Sequence, residues 1–176
     1  VCCQNIFAHP HEVWSCATCP APEHAELICT TFSTGSELRS TLWRMEGVSE
    51  AAPVGESTVA GAVPAAAPLQ ELLHLGDATP LREHVGVIWN AVLPEQIVTL
   101  TRRRLALSTL THGARASTAA ESASAPPPID GTSFSCGRWD PHHAHSLGVG
   151  CGGSIVGIDT RTMKAAHTVE GAHSQR

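Results

Sequence analysis

The chain has 176 residues, enough for one ordinary hydrophobic core. Its 11 Lys and Arg stand against 16 Asp and Glu, a formal charge of −5 with neutral histidine, so no broad basic field is offered to a phosphate backbone and nucleic acid is not an expected partner. No apolar run reaches the ~18 residues of a membrane-spanning helix, the start VCCQNIFAHPHEVW lacks a secretory layout, and seven cysteines without small-scaffold spacing suit reduced, mostly buried thiols; a cytoplasmic protein without direct membrane insertion is expected.

In chain order, short apolar runs bounded by turn residues predict strands at 13–17, 27–32, 39–45 and 69–75, then at 86–90, 96–100 and 104–109, then at 134–139, 146–151, 154–159 and 165–169. Two stretches, 47–68 and 111–131, are rich in Ala, Pro, Ser and Gly and are predicted to be low-complexity loops, because they hold too little apolar surface to offset chain ordering. No long helix is predicted, so the fold class is all-β.

The strands repeat one grammar: a His near a turn, an apolar strand closing in Trp or Pro, a small-residue strand, a tight turn, then a third apolar strand. HPHEVWSCATCP is followed by ELICTTF and RSTLWRM; EHVGVIWNAVLP by QIVTL and LALSTL; FSCGRWDPHHAH by SLGVG and IVGIDTRTM. With the two insertions set aside, the period approaches the 40-odd residues of a propeller blade. Residues 1–176 therefore read as a partial β-propeller of about three four-stranded antiparallel blades, at about 9–75, 84–110 and 132–170, not a closed ring. Sheets packed face to face explain why the middle strands are apolar on both faces, and the Gly152-Gly153 pair suits a hairpin turn. Both ends look cut, and an arc with uncovered terminal sheets is expected to be marginal or aggregation-prone by itself.

The residues resemble a known family. In the third repeat Gly137, Arg138, Trp139, Pro141, His142 and His143, then Ile158, Asp159, Thr160 and Arg161, then Glu170, Ala172, His173 and Gln175 are similar to a blade of the WD40-repeat family of EARP- and GARP-complex-interacting proteins. In the first, NIFAHPHEVWSC, STLWRM and LQELLHL resemble another segment of that family. The Trp-Asp step of such blades corresponds here to Ile158-Asp159, Trp43-Arg44 and Leu107-Ser108. The resemblance implies a non-enzymatic scaffold whose protein partners are subunits of the EARP and GARP tethering complexes. It also implies work in endocytic recycling and retrograde transport, at endosomes or the trans-Golgi network.

Clusters of chemistry-bearing residues offer a second reading. Cys16 and Cys19 with His9 and His11 form a Cys2His2 set, but strand alternation would turn Cys16 and Cys19 apart, and buried thiols are expected instead of zinc. His142, His143 and His145 follow Trp139-Asp140-Pro141 as a solvated turn. Ser135, His142 and Asp159 could be imagined as a hydrolytic set, without a nucleophile-elbow motif to support it. No catalytic residue, metal or cofactor is expected; the alternative is a metal-dependent or hydrolytic enzyme using the Cys/His clusters. The candidate protein contacts are Arg102, Arg103 and Arg104, the one basic run, on a hairpin turn, together with Asp159 and Arg161 at a strand end. Trp14, Trp89 and Trp139 are expected to pack at blade borders and Trp43 in the core.

Overall fold

The computed structural model describes residues 6–47, 66–112 and 117–174. A short parallel pair joins β1 (Phe7–Ala8) to β5 (Ala67–Pro68). The first blade runs β2 (Glu12–Thr18), β3 (Leu27–Ser33), β4 (Glu37–Arg44) and β6 (Gln70–His74), with β7 (Thr79–Pro80) also paired to β4. The second runs β8 (His84–Trp89), β9 (Gln96–Thr101), β10 (Leu105–His112) and β11 (Ser117–Ala125). The third runs β12 (Phe134–Trp139), β13 (Ser146–Cys151), β14 (Ser154–Asp159) and β15 (Lys164–Val169). One turn of 3-10 helix, Pro22–His24, is the helical element among the described residues.

Within each blade the strands are antiparallel and follow chain order, and the first strands of successive blades touch: β2 against β8, β8 against β12. The fold is a partial WD40-type β-propeller, an arc and not a closed ring.

Strand alternation decides which blade each side chain meets, because successive residues point to opposite faces. In the third blade Leu147, Val149, Cys151, Val156 and Ile158 share one face and are buried against Val98, Leu100, Leu105 and Leu107 of the second. The second blade's other face gives Trp89, Ile97 and Leu110 to a core with Cys19, Leu27, Cys29 and Leu42 of the first. Each fully buried Leu or Val contributes about 1.5–3 kcal/mol by leaving water. Close approach is visible at Gly137, where a Cβ would stand 2.6 Å from Ile88 Cδ1 across the second interface. Gly152, at φ +59, makes the hairpin between β13 and β14.

The strands predicted from apolar runs are present with small shifts of their ends; four features differ from expectation. Residues 111–131 were expected to be loop, yet Ser117–Ala125 forms β11, extending the second blade beyond 110. An outer strand needs only backbone partners, and the Ala/Ser sequence meets that by pairing along β10 without burying apolar side chains. Of the other expected loop, 47–68, residues 48–65 lie outside the described residues, while Ala67–Pro68 forms β5.

Trp14 is not the counterpart of Trp89 and Trp139. Those two stand opposite Ile97 and Leu147, and it is Thr18 that stands opposite the equivalent Ile28. Trp14 sits at an irregularity between Val13 and Ser15 and is 58% exposed, whereas Trp43, Trp89 and Trp139 are buried as expected. The same register moves the Trp-Asp step of the second blade by one residue: Trp43 and Ile158 oppose Ile28 and Leu147, and Ser108, not Leu107, opposes Ile97.

The interfaces set the stability. Leu100→Ala, at a fully buried position between blades, is expected to cost about 2–5 kcal/mol. Ile155→Ala, at a side chain 53% exposed, is expected to change stability by less than about 0.5 kcal/mol. Urea unfolding of the two variants measures the contrast; equal shifts would contradict the packing.

Candidate protein-contact surface

Two opposite ends of the blades carry the expected contact residues. Arg102, Arg103 and Arg104 occupy the turn between β9 and β10. The turn is closed by backbone pairing of the Thr101 N–H to the Arg104 carbonyl at 2.8 Å, and by the Arg104 N–H donating to Thr101 Oγ1 at 2.9 Å. It is also tied to the start of its own blade and to the third blade. The Arg102 N–H donates to the Glu83 carbonyl at 2.7 Å, and the Phe134 N–H of the third blade donates to the Arg102 carbonyl at 2.9 Å.

The run does not present three equivalent charges. Arg103 Nε lies 3.5 Å from Glu83 Oε2, and Arg104 donates to the Glu121 carboxylate on β11. Arg102 has no such carboxylate partner among the described residues. Its side chain lines a cleft of about 480 Å3 between the second and third blades, with Asp130, Thr132, Ser133, Ser135 and Ser154 on the walls. Exposed ion pairs such as those of Arg103 and Arg104 contribute little to stability, but they leave Arg102 as the cation of the run most available to an acidic group.

Asp159 and Arg161, at the opposite end, are bonded to each other. Arg161 Nε donates to Asp159 Oδ1 at 3.0 Å and its terminal nitrogen to Oδ2 at 2.7 Å, a bidentate pair. The Arg161 backbone N–H donates to Oδ1 at 3.0 Å, and the Met163 N–H reaches the Asp159 carbonyl at 2.7 Å, which closes the turn after β14. The Arg161 side chain, then its backbone N–H, hold the Asp159 carboxyl down at about 2, and the carboxylate raises Arg161 in return. The sequence could pick out both residues; their pairing follows from the turn.

Three histidines of the Cys/His clusters make local contacts. Among the described residues no group of three or more His, Cys, Asp or Glu converges as a metal ligand set would require. His9 shares a 2.9 Å hydrogen bond with Thr30 Oγ1, which also accepts the Trp43 indole N–H at 2.8 Å, and His11 stacks on Phe32 at 5.0 Å between ring centroids. Cys16 is exposed on β2; Cys19 is buried beyond its end, with its thiol pushed up by burial. His143 pairs with Asp140 at 2.8 Å; the His142 backbone N–H and then the His143 side chain hold the Asp140 carboxyl low. Ser135 stands at the start of β12, His142 past its far end and Asp159 at the end of β14.

No family model matches the chain. Among curated proteins it is 27% identical over 177 residues to the WD repeat-containing protein DWA2 of Arabidopsis thaliana, covering 97% of this chain and 44% of that protein. Over nearly its whole length the chain resembles a WD-repeat protein. It is also 27% identical over 184 residues to EARP and GARP complex-interacting protein 1 of Homo sapiens and of Macaca fascicularis, with 98% of this chain and 45% of each relative covered. The last two match the resemblance carried by the residues of the first and third repeats. The chain spans less than half the length of the curated relatives it matches. Among the described residues no helix is long and apolar enough to cross a membrane.

The Asp159–Arg161 pair makes a pH prediction with a definite sign. A carboxyl whose folded value lies below its unfolded one stabilises fully above the ordinary carboxylate range and loses that contribution as pH falls through the folded value. Asp159 is expected to titrate at about 2 by NMR of its carboxyl carbon, and in Arg161→Ala the midpoint is expected to move up toward the ordinary range of about 4. An unchanged midpoint in that variant would refute the pairing.

Proposed function

We propose that the chain forms part of a non-enzymatic WD40 scaffold for protein–protein interaction. The observation that carries the reading is the blade stacking combined with likeness, across 97–98% of the chain, to a WD-repeat protein and to two proteins named for interaction with EARP and GARP complexes. Rigid sheets hold loops and turns at fixed spacing, and a few Arg or aromatic anchors in such an array supply most of an interface's affinity. The finer proposal is an adaptor for endosomal tethering complexes, acting in endocytic recycling and retrograde transport to the Golgi while peripherally bound at endosomes or the trans-Golgi network. Its partners would be subunits of the EARP or GARP complexes.

Arg102 is the contact residue this reading ranks first, ahead of Arg103 and Arg104, whose charges are offset by Glu83 and Glu121. Asp159 and Arg161 rank below it, since a partner must first break their mutual pair.

The test is retention of purified EARP and GARP complexes on the immobilised full chain. Saturable binding is expected, weakened by salt, and Arg102→Glu is expected to reduce it at least tenfold, on the order of the effect of a hot-spot residue. Arg103→Glu is expected to have a smaller effect. No retention of either complex at micromolar concentration would overturn the tethering proposal; retention unaffected by Arg102→Glu would remove that residue from the interface.

A further inference from the structure

The shared register of the three blades exposes a vacancy between the first and second. In blade one, the face turned away from blade two carries Thr30, Phe32, Thr41 and Trp43, with the Trp43 indole N–H bonded to Thr30, His9 edge-on to both rings and His11 stacked on Phe32. At the same register positions blade two carries Thr99, Thr101, Ala106 and Ser108. The incoming segment differs in the same sense: where His9 and His11 cover blade one, the stretch entering blade two supplies Gly76, Asp77 and Thr79. Large rings are thus replaced by small side chains on two elements at once.

A cleft of about 400 Å3 lies there, lined by Thr99, Thr101, Ala106 and Ser108 together with Leu75 and His84. That size falls within the range of small-molecule pockets. The Thr99 and Ser108 hydroxyls have no hydrogen-bond partner among the described residues. His84 bonds through Nε2 to Thr31 and Ser40 of blade one at 3.3 and 3.4 Å and through Nδ1 to Thr79 at 3.2 Å, and burial pushes its value down, which favours a neutral ring on the wall. Arg104, at the rim, is already bound to Glu121. With its cation neutralised and Asp77 nearby, the cleft does not suit an anion.

We propose that this cleft binds a planar nitrogen aromatic of the indole class, its N–H donated to the Thr99 hydroxyl as Trp43 donates to Thr30. The chain itself demonstrates the chemistry one blade earlier: an indole over a threonine hydroxyl, between β-sheet and histidine. Ala106 and Leu75 supply apolar contact. The same group can arrive as a free small molecule or as a tryptophan side chain of a partner.

Ligand-observed NMR of the full chain with free indole and, separately, N-acetyl-tryptophanamide tests the site. Saturable binding of indole is expected; binding of the amide as well identifies a side-chain pocket, and its failure to bind identifies a small-molecule pocket. Ser108→Trp places the chain's own indole in the cleft and is expected to abolish binding of either probe. Thr99→Val keeps the shape and removes the acceptor, with an expected loss of about fivefold to tenfold. In 1-methylindole, which has no N–H, that loss is expected to vanish. The proposal is overturned if neither probe saturates, if folded Ser108→Trp binds as well as the original chain, or if Thr99→Val binds indole unchanged.

Discussion

The whole architecture depends on one constraint, that the middle blade must present opposite faces to two different neighbours. In an isolated sheet the odd and even residues of a strand would both need cover. Here Val98 and Leu100 turn to the third blade while Ile97, between Gln96 and Val98, turns to the first. Neither set can be buried without the adjoining sheet, so secondary structure, packing and blade order are fixed together. The Trp139 indole N–H, donated to the Ile88 carbonyl at 3.2 Å, adds a directional bond to this apolar contact and ties the first strand of one blade to that of the blade before.

What the sequence disclosed follows from that constraint. The run Ile97-Val98 is apolar at consecutive positions because the two faces of the second blade are covered by different neighbours, and this made its strand legible. β11 escaped for the converse reason: its STAAESASA carries no apolar signal, and only the ladder to β10 defines it. β1, β5 and β7, each of two residues, offer too little pattern to read. Aligning repeats by their tryptophans also misled at Trp14. The strand there is irregular between Val13 and Ser15, and a register shift cannot be seen in the order of letters.

The contact residues show a similar division. Their identity was legible as a basic run and as an acid and a base two residues apart. Their effective charge was not, because it depends on Glu83 and Glu121, which stand 19 residues before Arg102 and 17 after Arg104 and are brought back by strand pairing. Two of the histidines that suggested metal chemistry are engaged locally, His9 with Thr30 and His143 with Asp140, a use of polar groups that a list of ligand types does not distinguish from a metal site. The tethering role rests on likeness to named relatives, since a fold of this kind serves many functions and does not specify one.

Hydrogen exchange of the four indole N–H groups, followed by NMR, tests the stacking of blades most directly. Trp43, Trp89 and Trp139, each with its N–H bonded and its ring buried, are predicted to exchange slowly, and Trp14 rapidly. If the Trp139 indole exchanged as fast as that of Trp14, the third blade would not be seated on the second, and the account of a stacked arc would be contradicted.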